Sequence, residues 1–181
     1  ERWKLTGVAA RVIGRDPSNW AHTVTIDRGS HDGLRIGLPV VDGNAVVGQI
    51  VAVSRSSSQV LLLSDNSSAI DAIVQKSRAQ GTVEGALGKK LYLRNVLREQ
   101  EVLPGDRVIA SGLDGVFPKG TLIGVVTRVD PAPNGVFQNV ELEPSTDLVR
   151  LESVLVLIGS EEPGKAALPI RVVPDESAKA K

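Results

Sequence analysis

The 181-residue chain contains no cysteine and no methionine, and only five aromatic side chains: Trp3, Trp20, Tyr92, Phe117 and Phe137. It also has no excess charge of either sign, with 21 Lys+Arg against 21 Asp+Glu. Without cysteine there is no disulfide, zinc thiolate or thiol nucleophile. Without methionine the chain does not begin at its own start codon, so we expect a fragment or processed form with a membrane anchor upstream. Basic and acidic residues balance along the chain, 9 to 8 over 1–85, 8 to 9 over 86–159 and 4 to 4 over 160–181. No segment is a phosphate-binding surface, and stacking aromatics are scarce, so nucleic acid is not an expected partner. The longest apolar run, residues 154–158, is far below the ~18 residues needed to span a bilayer. No stretch has the pattern of a signal peptide.

What the chain does contain is valine and glycine, the latter 18 times, in a pattern of short strands and tight turns. Thr23, Thr25 and Asp27 alternate with His22, Val24 and Ile26, the period of a half-buried strand. Further strands are expected over 8–13, 39–41, 45–53, 60–63, 79–85, 90–96, 107–110, 122–129, 136–142 and 154–158. Residues 69–74 fit a helix or a strand, and the surrounding β-pattern favours a strand. Asp42-Gly43-Asn44 and Pro133-Asn134-Gly135 each lie between apolar runs, the strongest short signal for a hairpin.

A weak internal repeat is present. Val46-Val47-Gly48-Gln49-Ile50 resembles Leu122-Ile123-Gly124-Val125-Val126, offset by 76 residues, and each copy carries a Gly inside a strand, a mark of bulges and barrel corners. The expected fold is therefore all-β: two small β-barrel or sandwich domains in tandem, with few or no helices. The expected division is 1–6 as the end of a preceding helix, 7–80 and 81–159 as the two β-domains, and 160–181 as a disordered tail.

Catalytic chemistry is not apparent. A serine-hydrolase reading needs Ser, His and Asp in set roles, but Asp106 and Ser111 are too far apart for the tight sequence around such a nucleophile. His22 reads as a packed histidine and His31 as an exposed loop residue. Asp27, His31 and Asp32 lack the alternating ligands of a calcium loop, and the two aspartates read as turn formers. Residues 85–90 lack the spacing of a phosphate loop. No catalytic residue, cofactor or metal is expected.

The stretch Gly105-Asp106-Arg107-Val108-Ile109-Ala110-Ser111-Gly112-Leu113-Asp114-Gly115-Val116-Phe117-Pro118-Lys119-Gly120, followed by Leu122-Ile123-Gly124, closely resembles the signature of the bacterial rod shape-determining family MreC. Thr25-Ile26-Asp27-Arg28-Gly29, Val47-Gly48-Gln49-Ile50 and Leu151-Glu152-Ser153-Val154-Leu155-Val156 are similar to other parts of the same family. The resemblance covers about residues 8–158.

The resemblance implies a single-pass inner-membrane protein with a periplasmic coiled coil and a β-rich domain pair. It implies a non-enzymatic scaffold of the cell-elongation complex, maintaining rod shape during peptidoglycan synthesis. Its implied partners are a class B penicillin-binding transpeptidase and other rod-complex membrane proteins. The chain would be the β-rich part, at the periplasmic face of the inner membrane. In the motif, Gly105, Asp106, Ser111, Gly112, Asp114, Gly115, Phe117, Pro118, Gly120 and Gly124 are expected to be mainly structural. Asp114-Gly115 would set a turn, Phe117 pack into a core and Pro118 fix the chain before a strand. The competing readings are a degenerate β-barrel hydrolase and a peptidoglycan-binding module gripping sugars through Trp20 or Tyr92. Self-association, as a dimer or filament, is expected through the low-charge strands 46–53 and 122–129, whose edges are templates for pairing.

Overall fold

A computed structural model of the protein describes residues 4–16, 22–86, 90–131 and 135–161. The strands are, in chain order, β1 (Lys4–Arg15), β2 (Thr23–Ile26), β3 (Pro39–Asp42), β4 (Ala45–Val53), β5 (Ser58–Leu62) and β6 (Ala69–Val74). They continue with β7 (Gln80–Ala86), β8 (Lys90–Leu97), β9 (Arg107–Ala110), β10 (Leu122–Pro131), β11 (Phe137–Pro144) and β12 (Ser153–Glu161). Among the described residues the one helical element is a 3-10 turn, Ser30–Asp32.

Hydrogen bonding closes these strands into two six-membered rings. The first runs β4-β3-β12-β1-β2-β5 and returns to β4. The second runs β11-β8-β7-β6-β9-β10 and returns to β11. A single parallel pairing, Leu122 with Ala45, joins them. The all-β pair of small barrels expected from the sequence is thus present, and residues 69–74 are a strand.

The rings explain the composition. Closing a sheet on itself removes its edges, and a barrel's interior narrows as strands are removed; even eight leave room only for side chains. Six strands are filled by Val, Leu and Ile. Ile26, Val40, Val60 and Val156 in the first ring, and Val83, Leu91, Leu93 and Ile123 in the second, have no exposed surface. The alternation is direct in β2, where Val24 and Ile26 are buried while Thr23 and Thr25 are half-buried. Large aromatics have little place in such an interior.

The weak repeat is a real structural one. In the β3–β4 ladder Val41 faces Val46 and Val40 faces Gly48, which leaves Val47 as an extra residue. In the β9–β10 ladder Ile109 faces Leu122 and Val108 faces Gly124, which leaves Ile123 extra. A second bulge follows at Val51 against β5 and at Thr127 against β11. Both bulges recur at the 76-residue offset, so β3-β4-β5 and β9-β10-β11 share one register. Around the rings β12, β1 and β2 then correspond to β6, β7 and β8.

Four expectations are corrected. The division into 7–80 and 81–159 does not follow the strand pairing. β6 belongs to the second ring, paired with β7 and β9. β12 belongs to the first, paired with β1 and β3. The second ring therefore lies wholly between β5 and β12. The end of a helix expected within 1–6 is instead strand from Lys4 onward, because Lys4, Leu5 and Thr6 pair with Glu161, Ser160 and Gly159. For the same reason the tail expected from 160 begins in β12; residues 162–181, and 1–3, lie outside the described residues. Finally, β4 and β10 offer no edges for self-association, since β4 is paired with β3 and β5 and β10 with β9 and β11.

Candidate functional site

The family-like motif begins just before β9 and ends in β10. Gly105 and Asp106 form the turn into β9, where Gly105 N–H donates to Val126 O at 2.8 Å and Val126 N–H donates to Asp106 O at 2.9 Å. The Asp106 carboxylate accepts from Leu103 N–H at 3.0 Å. These bonds hold the loop before β9 against β10.

Between β9 and β10 the chain makes an excursion of eleven residues, 111–121. Ser111 N–H donates to Asp71 O at 2.9 Å, extending the β9–β6 ladder by one bond. Ser111 Oγ accepts from Leu113 N–H at 3.2 Å. Gly112 bends the chain beside Lys119. Asp114 Oδ1 accepts from Val116 N–H at 2.9 Å and Phe117 N–H at 3.4 Å, an aspartate turn of the kind that fixes loops without regular structure. Gly115 and Gly120 have φ of 70° and 91°, a region that costs a residue with a Cβ ~1–2 kcal/mol.

Phe117 returns to the interior and is 4% exposed, within the core cluster. Pro118 O accepts from Thr121 Oγ1 at 2.7 Å, and Gly120 N–H donates to Ala110 O at 3.0 Å. Gly124 passes under Glu143 O. Most of the motif therefore shapes and anchors the loop. Ser111 also lines a surface groove of about 240 Å³, together with Asp71, Gln80, Thr82, Asn95 and Leu113. That groove was not legible in the sequence, because its residues come from β6, β7, β8 and the motif loop and no spacing links them.

The candidates weighed for chemistry have structural partners. His22 Nδ1 lies 3.0 Å from Ser64 O, and His31 Nε2 accepts from Arg55 Nε at 2.6 Å. Asp27 Oδ1 accepts from Arg11 N–H at 2.7 Å, and Asp32 Oδ2 from Gly29 N–H at 3.1 Å. Among the described residues no three His, Asp or Glu side chains are placed to hold a metal ion. Tyr92 carries the Arg94 guanidinium 4.6 Å from its ring centroid; Trp20 lies outside the described residues.

The segment between the rings is organised by Asp65, 3% exposed. Its carboxylate accepts from His22 N–H at 2.8 Å and from Ser67 N–H at 2.8 Å, and also from Ser67 Oγ. Burial alone raises the pKa of this group. The hydrogen bonds from Ser67 and His22, with the nearby His22 ring, outweigh burial and hold it below the ordinary 3.8. Across the junction, Leu122 N–H donates to Asn44 O at 2.8 Å and Thr146 Oγ1 donates to Asp42 Oδ2 at 2.8 Å. The motif loop is thereby held beside the hairpin turn of the first ring.

Two closed rings, one inserted before the last strand of the other and joined to it by one parallel strand pairing, define a double-barrel β-protein whose signature residues build a loop. The sequence profile described as rod shape-determining protein MreC, barrel core, matches residues 12–158. The chain belongs to this MreC family.

The cell shape-determining protein MreC of Listeria monocytogenes is 34% identical over 160 residues, covering 86% of this chain and 54% of that protein. The Cereibacter sphaeroides protein of the same name is 35% identical over 167 residues, covering 90% and 54%. The chain thus spans about half the length of the curated relatives it matches. The crystal structure of MreC from Pseudomonas aeruginosa superposes with a TM-score of 0.81 at 29% identity, covering 84% of this chain and 99% of that one.

More distant structures share the fold. One is the major periplasmic domain of the cell shape-determining filament MreC, at 20% identity and TM-score 0.76, covering 89% and 99%. Another is from a complex between a penicillin-binding protein and MreC of Helicobacter pylori, at 18% and 0.70, covering 86% and 99%. Among the described residues no helix is long and apolar enough to cross a membrane.

Proposed function

We propose that this chain is the double-barrel part of a non-enzymatic scaffold at the periplasmic face of the inner membrane. In this reading an upstream anchor and coiled coil tether it there. It binds a class B penicillin-binding transpeptidase and other membrane proteins of the elongation complex, and so keeps lateral wall synthesis in a rod-shaped pattern. The observation that carries the reading is the family match over residues 12–158. It is supported by the complex of the Helicobacter pylori relative with a penicillin-binding protein. The engagement of both histidines in structural contacts also fits a scaffold better than a hydrolase.

Self-association belongs to the same reading, but through faces of the rings and the upstream coiled coil. The strand edges of β4 and β10 are already occupied.

The test is restoration of shape. A rod-shaped bacterium depleted of its own family member receives this chain behind that member's anchor and coiled coil. Rods are the expected result. Cells that become spheres while the hybrid is exported and stable would contradict the proposal.

A further inference from the structure

The groove beside the motif loop has a defined polarity. It runs across four neighbouring strands: from Leu113 and Ser111 beyond β9, over Asp71 on β6 and Gln80 and Thr82 on β7, to Asn95 on β8. Three strand spacings of ~4.8 Å give a length of about 14 Å. That matches an extended segment of about four residues at ~3.4 Å each.

Its lining holds one charged group, the half-buried Asp71. No described residue donates a hydrogen bond or ion pair to the Asp71 carboxylate, and the side chains of Gln80, Thr82 and Asn95 are likewise unengaged among the described residues. The nearest cation in the β7–β8 ladder is Arg94, opposite Thr82, and it is turned away to Glu84, Asn139 and the Tyr92 ring.

At the other end Leu113 is 76% exposed, although its neighbour Ser111 holds its backbone in place. The Asn95 end is also fixed. Asn95 sits at φ 61° in a bulge where β8 carries an extra residue against β11. The groove therefore presents an apolar contact, then an unneutralised carboxylate, then amides and a hydroxyl able to pair with a peptide backbone.

We propose that this groove receives an extended segment of a protein partner in which an apolar side chain and a lysine or arginine stand two residues apart. Residues at i and i+2 point to the same side of an extended chain, so the apolar one meets Leu113 while the cation meets Asp71. Gln80, Thr82 and Asn95 then pair with the segment's backbone. The proposal rests on the scaffold reading for its choice of a protein over another ligand. Its test does not depend on cell shape.

The full chain, labelled with nitrogen-15, is titrated with acetyl-Leu-Ala-Lys-Ala-amide and with the same peptide carrying norleucine in place of lysine. The expected result is saturable shifts of the backbone amides of Asp71, Thr82, Asn95 and Leu113. Binding should be about threefold weaker for the norleucine peptide, the scale of a partly exposed ion pair. Asp71→Asn should abolish the difference between the two peptides while leaving the rest of the spectrum in place. Leu113→Ser should weaken both peptides equally. Equal binding of both peptides to the unaltered chain, or no saturable shift, would overturn the proposal. Tighter binding of chitotriose at the same amides would also overturn it, and would assign the groove to a glycan.

Discussion

Gly48 and Gly124 occupy the same place in the two rings, each beneath a carbonyl of the neighbouring strand. A Cβ on Gly48 would come within 1.9 Å of Leu61 O, and one on Gly124 within 2.4 Å of Glu143 O. Both sit between the paired bulges of β4 and β10, where a small ring must coil most sharply. The glycines are thus required by close approach of backbones, and neither has a left-handed φ.

Gly48→Ala and Gly124→Ala should each cost about 3 kcal/mol, the upper end of ordinary overpacking. Urea unfolding measures this directly. The Gly48 variant should loosen the first ring and the Gly124 variant the second, which hydrogen exchange resolves strand by strand. Unchanged midpoints would mean the ladders separate without cost at these points.

Phe117 anchors the motif loop. It is nearly fully buried among aliphatic side chains, so Phe117→Ala should cost about 3–5 kcal/mol. A variant with unaltered unfolding but lost partner binding would show instead that this ring is a contact surface.

Strand pairing gives a different cut of the chain from the one suggested by sequence. A fragment ending at residue 80 lacks β12, so β1 and β3 lose the strand between them. We expect that fragment to be unfolded by circular dichroism. A fragment of residues 63–152 holds all six strands of the second ring and should fold with a cooperative transition. The opposite pattern would refute the assignment of β12.

Asp65 makes stability depend on acid. Its pKa is lower folded than unfolded, so the unfolded chain binds more protons as pH falls. Its contribution is full above the ordinary carboxylate value of 3.8 and is lost as pH drops through the lower folded value. Asp65→Asn should therefore destabilise by about 2 kcal/mol at neutral pH, the scale of charge-assisted bonds left poorly made. The gap between variant and unaltered protein should shrink below pH 3.8. A gap independent of pH would mean that the carboxylate titrates alike in the folded and unfolded chains.

The strands were largely legible in the sequence because alternation and turn residues are local signals. Val24 and Ile26 alternate with threonines, and Gly43 lies in a two-residue loop with φ 58°. The repeat around Gly48 and Gly124 was legible too, since a bulge is written into one strand. The owner of β12 was not. Val154 and Val156 read as a buried strand, but nothing local says that they pair with Ala10 and Val8 rather than with a neighbour in sequence. Asp65 left a faint trace in its Asp-Asn-Ser-Ser run, which is turn chemistry, but its bond to His22 spans 43 positions. The groove at Asp71 left none.

We propose that this double barrel holds a wall-synthesis enzyme in place and performs no reaction itself. The most direct measurement is sedimentation of the purified chain with the ectodomain of the class B penicillin-binding transpeptidase from the same cell. The scaffold role requires a saturable complex, formed equally well when the transpeptidase serine has been acylated by penicillin, because a scaffold does not need that site. No complex at concentrations well above those of a membrane-confined pair would contradict it.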